Sequence, residues 1–123
     1  MSINVCTFNV KGLNDPSKRK QLFHWLKLNK YSICLLQELH CQEHTYDKWR
    51  KEWGGDLFLS GDSSNSIGVG ILVNSDFTYT VQEHNNIING RMQSLKLLIH
   101  EKEYSFLNIY APNNLTESFF NKS

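Results

Sequence analysis

Proline and cysteine are scarce: the chain has two prolines and three cysteines in 123 residues. A Pro-rich linker is excluded, and an odd number of thiols argues against a disulfide framework. Two of the cysteines, Cys6 and Cys34, sit in apolar strand-like runs. Buried reduced thiols are the expectation, which suits an intracellular protein of nucleus or cytoplasm, not a secreted one. No apolar run approaches membrane-spanning length. Residues 3–8 are too short for a signal peptide and lack a basic flank, so no membrane partner is expected. Charge of one sign is missing as well: Lys and Arg number 13, Asp and Glu 12, for a formal net charge of +1. No broad field therefore advertises a nucleic-acid or membrane partner, and a nucleic-acid enzyme would have to cluster its lysines. Internal repeats and low-complexity stretches are absent too. What is present, 40% hydrophobic and 20% charged residues, is a globular composition sized for one domain with a modest core.

Residues 3–10 read as a strand. Ile3 and Val5 face one side, Cys6 and Phe8 the other, which predicts a central place in a sheet. Asp15-Pro16 has the form of an N-cap followed by proline at the first helical position, so a helix is expected to about Leu28, with Leu22, Phe23 and Leu26 on one face. Ile33-Cys34-Leu35-Leu36 is a strand buried on both faces, closed by Gln37 and Glu38. Strand, helix, strand is a βαβ unit, which makes its two strands parallel. Residues 40–44 form a loop, and Thr45 is placed to cap a short helix containing Trp49 and Trp53, ended by Gly54-Gly55. The two tryptophans, four apart, read as a packing stripe. Strands are further expected at residues 56–60, 68–73, 77–82 (with Phe77, Tyr79 and Val81 on one face), 91–99 and 104–110. Gly68 and Gly70 allow close backbone approach. Residues 100–103 form a hairpin turn, Pro112 stops the last strand, and Leu115, Phe119 and Phe120 hint at a helix.

Three strand ends carry polar groups that a phosphodiesterase would use. A carboxylate at the tip of a buried strand is costly without a partner, and α/β sheets bind ligands at the carboxyl ends of their strands. Mg2+ takes oxygen ligands, commonly one or two carboxylates completed by waters and phosphate oxygens. Glu38 supplies such a carboxylate. Asn9 offers an amide that orients a ligand or phosphate oxygen without adding repulsive charge, and the Tyr110 hydroxyl a hydrogen bond to a phosphoryl oxygen or to water. Taken singly, each has a plain alternative: a turn-forming Asn9, an exposed strand end at Glu38, a core aromatic at Tyr110.

Read in order, Val5-Cys6-Thr7-Phe8-Asn9-Val10-Lys11-Gly12-Leu13-Asn14, Leu35-Leu36-Gln37-Glu38, Gly68-Val69-Gly70-Ile71-Leu72 and Leu107-Asn108-Ile109-Tyr110-Ala111-Pro112-Asn113 resemble the endonuclease/exonuclease/phosphatase family. The resemblance is greatest to the apurinic-type endonuclease domain of LINE-type retrotransposons. It implies an α/β fold, a partial four-layer αββα sandwich with a mixed sheet, and Mg2+-dependent (or Mn2+-dependent) phosphodiester cleavage. Position by position, Glu38 matches the family's metal-binding glutamate and Asn9 the asparagine of the metal and phosphate site. Tyr110 matches the active-site tyrosine, with Asn113 in the loop beside it. The implied partner is DNA, nicked to prime reverse transcription; a full-length element would add a reverse transcriptase region. The family's later Gly-Asp-x-Asn and Ser-Asp-His motifs do not occur after Tyr110. Gly61-Asp62-Ser63-Ser64-Asn65 has the wrong spacing, and Ser75-Asp76-Phe77 lacks the histidine. Residues 1–123 are therefore expected to be the N-terminal half of such a domain, inactive alone because the groups that activate water are missing.

Two other classes compete. His40-Cys41-Gln42-Glu43-His44 fits the H-x-x-E-H pattern of a zinc peptidase, which needs both histidines on one helical face and a third ligand, for which Glu103 and Glu117 are candidates. The alternative to any enzyme is a binding module or non-enzymatic remnant. Lys11, Lys18, Arg19, Lys20 and Arg91 are weighed as phosphate contacts against ordinary solvated surface, the favoured reading.

Overall fold

The computed structural model describes residues 2–62 and 67–111. The expected helix at residues 115–120 and Asn113 lie outside the described residues. Three layers follow from the βαβ start: helices, a four-stranded mixed sheet, and a three-stranded antiparallel sheet. Strand β1 (Val5–Asn9) runs parallel to β2 (Ile33–Gln37) through helix α1 (Pro16–Leu28). After a 3-10 turn and helix α2 (Tyr46–Trp53), strands β3 (Asp56–Ser60) and β4 (Val69–Val73) return antiparallel, in the order β1-β2-β4-β3. Strands β5 (Thr80–Ile88), β6 (Met92–Ile99) and β7 (Lys102–Ile109) form the second sheet. No helix among the described residues is long and apolar enough to cross a membrane.

Local chemistry explains the boundaries. The Asp15 carboxylate accepts the Ser17 N–H at 3.1 Å, and Pro16 opens α1 as the sequence predicts. Gly54 closes α2 in the left-handed region (φ 82°). Thr45 departs from expectation: its hydroxyl donates back to the Gln42 carbonyl at 2.7 Å and caps nothing. Phe23, Leu26, Trp49 and Trp53 bury themselves between the helices and the first sheet. Ile33, Ile71, Val73, Leu95, Leu97 and Ile99 fill the space between the sheets. On the helical side of the first sheet, Gly70 lets Leu39 and Leu59 pack closely: a Cβ would stand 2.7 Å from Leu39 Cδ1 and 3.1 Å from Leu59 Cδ2.

Two expectations are corrected. Strand β1 is an edge, not a central strand: among the described residues it pairs only with β2, and Val5 (46%) and Phe8 (37%) stay exposed. Its two apolar faces are as read, but burial of a strand depends on its neighbours, which its own pattern does not contain. The strand expected at residues 77–82 begins later, at Thr80, and runs to Ile88. Phe77 and Tyr79 pack under the second sheet from the preceding turn, while Val81, beside a bulge, faces outward.

One polar thread runs through the interface between the sheets. Asn108 on β7 is 1% exposed, and its Nδ2 lies 3.0 Å from the carbonyls of Leu36 and Gly70 and from Gln93 Oε1. Its Oδ1 accepts from Gln37 Nε2 at 2.9 Å, and Gln37 Nε2 also reaches Thr7 Oγ1 at 2.8 Å. Gln93 in turn donates to the Phe58 carbonyl (3.1 Å) and meets His84 Nε2 at 3.3 Å. Every described strand lends a side chain or a carbonyl to this thread, down to the Gly70 carbonyl of β4 and His84 of β5.

Replacing Asn108 by Leu strands several of these buried groups at once. It should cost about 2–4 kcal/mol of stability, read as a lower urea midpoint at unchanged slope. A change below 0.5 kcal/mol on that scale would show the thread to be ornamental. Burial, then the Arg50 charge, holds the His84 imidazolium below its usual pKa. A folded pKa below the unfolded one contributes stability that is present above the unfolded value and lost as pH falls through the folded one. Stability should therefore drop on acidification below about pH 6.5, and His84→Gln should flatten that part of the urea-midpoint profile.

Candidate functional site

The ends of several strands are drawn to one end of the sandwich by a chain of backbone hydrogen bonds. Val10 N–H donates to the Gln37 carbonyl (3.0 Å) and Gly12 N–H to the Glu38 carbonyl (2.6 Å). Leu39 N–H donates to Gly68 (3.0 Å), Gly68 N–H to Gly90 (2.8 Å), and Tyr110 N–H to Arg91 (2.8 Å). Asn9, Glu38 and Tyr110 are thereby brought to the same end of the molecule. Asn113 lies outside the described residues.

Each side chain has a local reason for its place. Asn9 Oδ1 accepts the Lys11 N–H at 3.1 Å, a turn that fixes the amide plane. One lone pair of that oxygen and the NH2 group remain for a ligand. Glu38 follows β2 directly and is half-buried, with φ 57°. Lys11 (φ 53°) and His40 (φ 53°) are also left-handed without being glycine. Such residues cost about 1–2 kcal/mol each and collect where the surroundings over-determine the backbone. Gly68, at φ 90°, completes the crowding: a Cβ there would stand 3.1 Å from His40 N and from Cys41 Sγ. Tyr110 is half-buried, with the Arg91 guanidinium 5.9 Å from its ring centre.

The donor set is one carboxylate, one amide and one phenol. These are hard oxygen donors, which fit Mg2+ or Mn2+ held mainly through water and phosphate oxygens. Among the described residues no three His, Cys, Asp or Glu side chains converge on a metal-sized space. His40 precedes the 3-10 turn in a loop, while Glu43 and His44 lie in the turn itself, so the zinc-peptidase pattern lacks its helix. Asp62 Oδ1 instead accepts the Glu43 N–H at 3.3 Å. Asp76 sits at the opposite end, where Asn74 N–H donates to Ser32. Cys41 is buried beside the site with its thiol pushed up to about 11, chiefly by burial, and is no nucleophile.

Of the basic candidates, Arg19 is neither a phosphate contact nor solvated surface. It is 2% exposed, pairs Nε with Glu52 at 2.6 Å and Nη2 at 3.0 Å, and donates to the carbonyls of Leu13 and Asn14. Lys18 Nζ caps the Val10 carbonyl at 2.6 Å. Lys11 remains exposed beside Asn9. The residues missed in the sequence are Asn108 and Gln93. Their signal was present: each is an amide at an inward position of a strand whose other inward residues are Phe106 or Leu95, Leu97 and Ile99.

Comparison with known proteins points the same way. The model of the Endonuclease/Exonuclease/phosphatase family matches residues 1–116. An uncharacterized 149 kDa protein of transposon TX1 from Xenopus laevis is 30% identical over 112 residues, which is 91% of this chain but 9% of that protein. Among solved structures, a mannosyl-6-phosphatase of Bacteroides thetaiotaomicron superposes with TM-score 0.69 at 13% identity over 95% of this chain and 54% of that one. An AP endonuclease from Archaeoglobus fulgidus gives TM-score 0.66 at 21% identity, over 98% and 47%. The chain thus spans about half the length of these two folds.

Replacing Glu38 by Gly and by Ala removes the same carboxylate but tests the backbone. The glycine variant should be the more stable by about 1 kcal/mol, because only it adopts φ 57° without strain. Equal urea midpoints for the two would show that Glu38 is not held in the left-handed region in solution.

Proposed function

This chain belongs to the endonuclease/exonuclease/phosphatase family, and from that membership we propose that it carries the metal- and phosphate-holding half of a DNA-nicking phosphodiesterase of the retrotransposon type. The observation that supports this reading most is the gathering of Asn9, Glu38 and Tyr110 at one end by the backbone bonds from Val10 to Tyr110. Glu38 would be the protein ligand of Mg2+, with Asn9 beside it as a second oxygen donor. The bound ion would polarise the scissile phosphate and neutralise charge that develops on its oxygens. Tyr110 would donate its hydroxyl to a phosphate oxygen, and Arg91 against its ring would limit the orientations of the phenol. Lys11, exposed next to Asn9, would meet a neighbouring phosphate of the strand. DNA is favoured over a small phosphoester because the transposon relative is the one with 30% identity.

The residues that activate water belong, in this reading, to the Gly-Asp-x-Asn and Ser-Asp-His motifs, which do not follow Tyr110 in the sequence. Loss of a general base costs about 10²–10⁴ in rate. The 123-residue chain should therefore hold a divalent ion but leave DNA uncut. Two measurements check this. Titration with Mn2+ should broaden the NMR signals of Asn9 and Glu38 first, and Glu38→Gln should weaken that effect at least tenfold. Supercoiled plasmid with Mg2+ should remain supercoiled. Mn2+ broadening spread evenly over exposed carboxylates would remove the metal site. Nicking that disappears in Glu38→Ala would overturn the inactivity of this chain while keeping its site.

A further inference from the structure

Away from the strand ends, α1 and α2 enclose a cleft of about 470 Å³ lined by Pro16, Lys20, Phe23, His24, Lys27 and Glu52. That size lies within the usual range for small-molecule sites, about 300–1,000 Å³. Lys20, His24 and Lys27 fall at i, i+4 and i+7 of α1, so one flank of the helix carries them all. The floor is apolar, with Phe23 4% exposed.

The charge of this cleft is less balanced than its residue list suggests. Glu52 is the one carboxylate in the lining, and both of its oxygens already accept from the buried Arg19. That bond holds its carboxyl below the usual range, so Glu52 is spent on Arg19 and offers little to the lysines. Among the described residues neither the Lys20 nor the His24 side chain has a hydrogen bond or ion pair. Lys27 is held differently: its ammonium lies 5.0 Å from the ring centre of Trp53, which pins it at one end of the cleft. Two lysines thus flank the cleft, one held against an aromatic ring and one without a side-chain partner among the described residues, with the neighbouring negative charge already compensated.

We propose that this cleft binds a nucleotide-sized anion, a flat aromatic base carrying a phosphate, with the base against the exposed His24 ring and the phosphate between Lys20 and Lys27. The two lysines lie seven residues apart, about 10 Å along the helix, and their stems are long enough to converge on one phosphate. An extended acidic peptide is disfavoured, because the basic flank is only two helical turns long. The same chemistry arises from a free nucleoside monophosphate or from the terminal nucleotide of a single strand. The site does not involve Glu38, so it stands or falls apart from the function proposed above.

Two-dimensional NMR of the uniformly labelled chain tests it, with adenosine monophosphate, adenosine, inorganic phosphate and a 5′-phosphorylated pentanucleotide as separate probes. Adenosine monophosphate should shift the signals of Lys20, Phe23, His24 and Lys27 saturably, at least tenfold tighter than adenosine or inorganic phosphate. Lys20→Gln combined with Lys27→Gln should weaken it at least tenfold, and Glu38→Ala should leave it unchanged. Tighter binding of the pentanucleotide at the same residues would assign the site to a strand end; equal or weaker binding would assign it to the free nucleotide. Three results would overturn the proposal: no saturation, phosphate binding as tightly as the nucleotide, or shifts confined to residues around Glu38.

Discussion

Asn108 is the constraint on which the relative position of the two sheets depends. Hydrophobic burial between sheets is non-directional. The inward leucines and isoleucines of β6 would pack nearly as well if the sheet slid by two residues, since their period is two. The amide of Asn108 does not tolerate such a slip. It must meet the Leu36 and Gly70 carbonyls, Gln93 and Gln37 together, and a displaced amide would be buried without partners. Two hydrogens serve three acceptors, so one is shared. The register so fixed is also the one that matters chemically. Gln37 precedes Glu38 by one residue and Asn108 precedes Tyr110 by two, so the lock stands directly behind the groups it aligns.

That lock accounts for how the strand ends can carry unfavourable backbone conformations. Lys11, Glu38 and His40 all sit at positive φ in one small region. The loops that hold them are tied by backbone bonds to Gly68, which is tied in turn to Gly90. Several bonds that form only together offset the local cost, and Gly68 provides a close approach that a Cβ would crowd. The consequence for Glu38 is a kink: with φ at 57°, the regular strand stops at Gln37, while Leu39 and His40 go on to donate to Gly68 and Ile67.

Much of this was readable from the sequence, and the failures share a cause. Helix α1 was legible to the residue because Asp15 and Pro16 encode its start through local chemistry. Asn9, Glu38 and Tyr110 were legible as polar ends of apolar strands. The edge position of β1 was not, because edge or centre is a property of what lies alongside. Strand β5 was misplaced because Glu83, Asn85 and Asn86 are polar and exposed, whereas Phe77 and Tyr79, which looked like strand, serve the core from a turn. Arg19 was misread although the pattern held the answer. With Leu22, Phe23 and Leu26 it completes an i, i+3, i+4, i+7 series on the inward face of α1. A charge on that face has to be paired, and Glu52 is the residue that pairs it.

The Arg19–Glu52 pair then does more than satisfy a buried charge. An exposed ion pair contributes little to stability, but Arg19 is 2% exposed and also donates to the carbonyls of Leu13 and Asn14. It therefore bolts the loop after β1 to both helices. Asn14, held at its backbone by Arg19, donates from its own amide to the His40 carbonyl at 2.8 Å, which joins this loop to the one that follows Glu38. The loops bearing Asn9 and Glu38 are thus fixed from the helical side by one guanidinium and from the sheet side by one amide. Because the guanidinium consumes the only carboxylate of the α1–α2 cleft, the interaction that steadies the strand-end site also leaves the flank of α1 positively charged. Site geometry and cleft charge are two results of a single ion pair, whose guanidinium is buried and whose carboxylate is exposed.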